Sequence, residues 1–188
     1  MSTIRWSEYE IESNPWARKE DVEAAMLFRG VSISAWAAVE TTLNEIAFRA
    51  SCDQAYIEVR DGFPYRLSER LRYFNDVLDR DGPLAPYSNL AKRLVARWAS
   101  GATMRHILAH GRMRVLSGPR GVLSRATFTD LRPAPGGNGT LRTTMLTLKE
   151  LGAGAKRAAR FSRMVQRLAI QVDARALLPQ LVSDDDPD

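Results

Sequence analysis

The chain has 188 residues, 45% of them hydrophobic and 26% charged, the balance of an ordinary globular protein large enough for a sizeable core. Its formal net charge of +5 is mild, and its one cysteine, Cys52, excludes an internal disulfide or a cysteine-rich metal site. No apolar run approaches the roughly 18 residues of a membrane span, and the N-terminus lacks the basic end and apolar stretch of a signal peptide, so a cytoplasmic location is expected.

A long helical segment comes first. Pro15 suits the first helical position after Asn14 as a cap. Trp16, Val22, Met26, Ile33, Trp36, Val39, Leu43 and Ile46 then recur at spacings of three and four, as far as about Ser51. Gly30 and its neighbouring serines predict a bend or a division into two helices. Asp61-Gly62 signals a turn and Pro64 can open a second helix, whose face is marked by Leu67, Leu71, Phe74 and Leu78. The proline-containing DGPLAPYSN is a loop. Ser88 or Asn89 caps a third helix with Leu90, Leu94, Trp98 and Ala102 on one stripe, running to at least His110, where Gly111 is a natural stop.

After Gly111 the pattern changes. MRVLSG, RATFTDLRP and TLRTTMLTL are short, partly alternating runs with β-branched residues, separated by the turn-rich GPRG and PAPGGNG. They predict a small hairpin or three-stranded meander inserted at about 112–147, before a last helix from Lys149 to about Leu178. The fold class expected is mainly α: one helical domain over residues 1–180, with an acidic, disordered tail at 181–188.

The third helix carries the chemistry. With Leu90 at zero and 100° per residue, Arg105 falls on the apolar stripe, and His106 and His110, the chain's two histidines, share the adjacent face. An arginine on a packing face needs a carboxylate or carbonyl partner, because a buried unpaired charge is costly. Glu40 borders the apolar side of the first helix and is a candidate, with Asn44 one turn beyond it. The i, i+4 histidines have a spacing that suits two metal ligands, but the glutamate of a His-Glu-x-x-His hydrolase is missing, so no metal is expected. All but Lys19, Lys92, Lys149 and Lys156 of the 27 basic residues are arginines, whose fork suits phosphate. Arg112 and Arg114, with Arg120, Arg125 and Arg132, are candidates for a basic surface.

Arg105 to Gly111, R-H-I-L-A-H-G, resembles the R-x4-H signature of the HEPN superfamily, helical-bundle proteins of toxin, defence and RNA-processing systems. The polar residue after the arginine, the alanine before the histidine and the glycine after it all fit, as do Glu40, Leu43 and Asn44 on an earlier helix. The resemblance implies a HEPN-like bundle and metal-independent, cofactor-free cleavage of RNA, in which 2′-OH attack leaves a 2′,3′-cyclic phosphate. It implies His110 in acid–base work, Arg105 on the phosphate, His106 orienting or sharing the proton transfer, and Glu40 positioning Arg105. Arg112, Arg114 and Asn44 would contact RNA. It also implies a homodimer whose cleft Trp98 could help to line, and a toxin–antitoxin or other partner protein. The alternative is a non-catalytic dimeric module of the same fold that binds RNA or a protein.

Overall fold

The computed structural model describes residues 17–60, 62–119, 122–133 and 139–175, with backbone only at 131–133. It is mainly helical, with α1 (Lys19–Ser51), α2 (Leu67–Leu78), α3 (Ser88–His110), β1 (Arg112–Leu116), β2 (Arg125–Pro133), β3 (Gly139–Thr147) and α4 (Leu148–Arg175) in chain order. The expected Asn14–Pro15 helix start, the PAPGGNG turn, the Leu178 helix end and the acidic tail lie outside the described residues.

The α1 helix runs through Gly30 without interruption, which corrects the expected division. Nothing but solvent surrounds the position a Gly30 side chain would take, so this glycine costs helix propensity without forcing a break. The buried residues of α1, among them Val22, Ala25, Ser32, Ala35, Val39, Leu43 and Ile46, keep one stripe along the whole helix. Ser32 turns its hydroxyl back to the Phe28 carbonyl at 2.8 Å, which satisfies it on that stripe.

A second correction concerns membrane spans. An 18-residue window of α1 reaches a mean hydropathy of 1.3, so by length and composition this helix is apolar enough to cross a bilayer. Alanine interleaved with Ser and Thr keeps the average high without a continuous apolar run. The core helix of a soluble protein meets the same criterion.

The chain clusters into two compact units, one of Met1–Trp36 and Ala102–Arg160, the other of Ala37–Gly101 and Phe161–Asp188. In the first, the strands form an antiparallel sheet of order β1-β2-β3, the meander expected from the sequence. Residues alternate across it. Met113, Val115, Ala126 and Phe128 point to a core shared with Val22, Ala25, Ile107, Leu108 and Leu151, while Arg112 and Arg114 point outward. The sheet passes directly into α4 through a capping box. Thr147 Oγ1 accepts from the Glu150 amide at 3.1 Å, and the Glu150 carboxylate accepts from the Thr147 amide at 2.8 Å. The Thr147 amide, and after it the Thr147 hydroxyl that also donates to the carboxylate, hold the Glu150 carboxyl below its ordinary value.

A polar knot closes the start of α1 in the same unit. Asp21 Oδ2 accepts from Ser117 at 2.6 Å, Ser124 at 2.7 Å and the Arg18 Nε at 3.0 Å. Burial pushes the Asp21 carboxyl up, but the two hydroxyls and the guanidinium outweigh it and hold the carboxyl below its ordinary value.

The second unit is organised around aromatic side chains. Phe63 meets Phe48 and Tyr73 edge to face, at 5.5 and 6.0 Å between ring centroids. Buried Tyr56 accepts the Leu84 amide at 2.7 Å through its hydroxyl. Ser88 does not cap α3 as the sequence suggests. It is the first residue of the helix, its hydroxyl donates to the Leu78 carbonyl at 2.6 Å, and a 3-10 turn over Ala85–Tyr87 leads in. Trp98 is 2% exposed, a core residue and no cleft-lining one, because its turn of α3 carries it inward with Leu94 and Val95.

Candidate functional site

The C-terminal turns of α3 carry both histidines on one exposed face. Four residues apart on a helix, they stack one turn above the other, with ring centroids 4.8 Å apart. His106 is about half exposed and its Nε2 lies 3.1 Å from Oδ2 of Asp130, whose side chain is only 6% exposed. Asp130 sits on β2 in the same alternation as Ala126 and Phe128, which aims it at the inner face of the sheet, and its register partner on β3 is Arg142. A carboxylate accepting from Nε2–H fixes the ring's orientation and, in the neutral form, leaves Nδ1 as the open acceptor. The result is an Asp–His–His line leading from a buried carboxylate to the surface.

Arg29 of α1 fixes the backbone beneath this line. Its Nε donates to the Leu108 carbonyl at 2.7 Å, and one terminal nitrogen donates to Ala109 and Gly111 carbonyls at 3.4 and 3.1 Å. A cation satisfying carbonyls at a helix C-terminus is favourable both as hydrogen bonding and against the dipole. Gly111 completes the stop. Its amide bonds the Ile107 carbonyl at 2.8 Å, and a Cβ there would stand 2.5 Å from that same oxygen. Glycine is therefore required at 111 by close approach of the backbone.

Arg105 is half-buried on α3, next to the histidine face. Glu40 and Asn44 are half-buried on α1 and belong to the second unit, so the cluster built here uses residues of the first unit only. Arg112 and Arg114 are exposed on β1, immediately after the histidines. Arg120 and the side chain of Arg132 lie outside the described residues. Among the described residues, no three His, Cys, Asp or Glu side chains come together as a set able to hold a metal ion.

Asp130 and Arg29 were the residues sequence reasoning missed. Each had a signal. Asp130 is the acid in RATFTDLRP on the parity of Ala126 and Phe128, and a carboxylate on a buried parity must have a partner. Arg29 interrupts an otherwise apolar stretch of α1 in the same way. Comparison of the chain with protein-family models, with curated proteins and with solved structures finds no match in any of the three.

Proposed function

We propose that this chain is a HEPN-like, metal-independent endoribonuclease of cytoplasmic toxin, defence or RNA-processing type. The observation that carries the reading is the pair of exposed imidazoles 4.8 Å apart, one of them held by a buried carboxylate. Cleavage by 2′-OH attack needs one group to remove the 2′ proton and another to protonate the departing 5′ oxygen, and two neighbouring imidazoles can divide that work. His110 takes the acid–base role. His106, oriented by Asp130, is its partner in proton exchange, and Arg105 meets the charge that gathers on the phosphoryl oxygens. The bond from phosphorus to the 5′ oxygen breaks as the 2′ oxygen bonds to phosphorus, leaving a 2′,3′-cyclic phosphate and a 5′-OH. A homodimer is supported by Leu27, 62% exposed, and Val31 one turn on, apolar side chains open on α1.

The test is incubation of the protein with mixed RNA in EDTA, beside folded His110→Ala, Arg105→Ala and Asp130→Asn variants. Cyclic-phosphate ends should form with the parent protein, fall by about 10²–10⁴-fold for His110→Ala, and fall less for Asp130→Asn. Cleavage that persists undiminished in His110→Ala sinks the assignment. No cleavage by the parent across diverse RNA leaves the non-catalytic binding reading, which the arginines of the sheet independently favour.

A further inference from the structure

The outer face of the sheet is assembled from strand positions opposite to the core. In register across the strands, its rows are Arg112–Thr129–Thr143, Arg114–Thr127–Met145 and Leu116–Arg125–Thr147. Each row holds one arginine and no row holds an acid. Successive rows stand about 6.8 Å apart, two residues at the antiparallel rise, with one sideways step of about 4.8 Å between β1 and β2.

All three arginines are exposed. Arg125 makes a 3.6 Å contact to the Met145 sulfur and lies within Coulombic reach of Glu150, whose carboxylate is engaged by Thr147. Among the described residues, no ion pair claims Arg112 or Arg114. Exposed guanidiniums without an ion pair among the described residues, each beside a hydroxyl-bearing neighbour, suit an anion from outside the chain.

A single anion would need converging arginines. Here they are spread at one per row, which suits a polymer carrying one negative charge per repeat, at a spacing like that of neighbouring phosphates on one nucleic-acid strand. Threonine hydroxyls beside the guanidiniums add donors for phosphate oxygens and acceptors for ribose hydroxyls. The first row begins two residues after His110 in the chain, on the face of the sheet opposite to Asp130.

We propose that this sheet face, Arg112, Arg114 and Arg125 with Thr127, Thr129 and Thr143, is the site that binds the sugar–phosphate backbone of single-stranded RNA. This binding surface stands independently of the ribonuclease reading. The face carries no aromatic side chain on which bases could stack, so binding is led by phosphate, tolerant of sequence and steeply salt-dependent.

The experiment is fluorescence anisotropy of the full chain with a labelled 2′-O-methyl oligouridine, which lacks the attacking hydroxyl and separates binding from cleavage. Arg112→Ala, Arg114→Ala and Arg125→Ala combined should weaken binding about 30-fold or more. Loss of three phosphate contacts should also flatten the slope of log affinity against log salt by about two, at ~0.7 per phosphate on a single strand. The control removes equal charge from exposed positions of α4 in the same unit, Lys156→Ala, Arg157→Ala and Arg160→Ala, and should cost less than about threefold if the site is specific. Both triple variants lie on exposed positions and are checked by thermal melting.

Equal losses from the two triple variants, no loss from the sheet triple, or displacement by polyglutamate as efficient as by unlabelled oligonucleotide would each overturn the proposal. Binding through the sheet without any cleavage of ordinary RNA would instead retire the ribonuclease reading and leave the track standing.

Discussion

The two compact units carry nearly the same number of basic residues and use them in opposite ways. Residues 17–36 and 102–160 hold 14 basic and 5 acidic side chains; residues 37–101 and 161–175 hold 12 and 10. In the second unit several of the cations are engaged. Arg49 pairs with Asp173, Lys92 with Asp79 and Arg60 with Glu69, and Arg97 lies over the Phe161 ring at 4.9 Å. In the first, Arg29 and Arg18 are spent on helix ends, while Arg112 and Arg114 are exposed and in no ion pair among the described residues. A mild net charge over the whole chain thus conceals a neutralised unit and an electropositive one. What matters for a polyanion is which arginines remain unclaimed.

That contrast can be broken by mutation. The largest effect should come from Gly111→Ala, whose Cβ meets the Ile107 carbonyl oxygen and must push the α3 terminus away from β1. About 3 kcal/mol of destabilisation is expected by analogy with overpacked sites, seen as a lowered midpoint in urea. Arg29→Ala should cost about 2 kcal/mol, since it strips a charged donor from three carbonyls. Arg60→Ala, which removes an exposed ion pair in the second unit, should cost well under about 1 kcal/mol. If the two arginine variants melt alike, the distinction between engaged structural arginines and surface pairs fails.

The Asp21 knot gives the smallest and most specific effect. Its carboxyl is held below the ordinary value of 3.8, so its contribution is fully present above that pH and is lost as pH falls through its lower folded value. Thermal melts of the parent and Asp21→Asn should therefore differ at neutral pH and converge below about pH 3.8. A gap that stays constant through the acid range would mean that the hydroxyl bonds to Asp21 act without its charge.

Much of the fold is legible in the sequence, and the reasons differ by element. The strands were visible because β-branched alternation and flanking Gly and Pro coincide in MRVLSG, RATFTDLRP and TLRTTMLTL, and the observed boundaries fall within two residues of those runs. The His106–His110 face was visible because helical periodicity places i and i+4 together whatever else surrounds them. Gly30 misled because a helix tolerates a glycine when 33 residues of stripe continue through it. Ser88 misled because its hydroxyl found a carbonyl from a preceding helix, a long-range choice that local capping preference does not encode. Asp130 lay hidden for a similar reason, since its meaning depends on a residue on another element.

Both junctions between helix and sheet are as short as the chain permits. A single residue, Gly111, separates α3 from β1, and none separates β3 from α4. Strand register and helix phase are thereby locked to each other, because one added residue at either junction would rotate a helix by about 100° and turn a strand over. Natural variation in length should be excluded from these two points and collected at the connections between strands. Insertional scanning would read this as a map: peptides inserted between β1 and β2 or between β2 and β3 accepted, and single-residue insertions beside Gly111 or Thr147 refused.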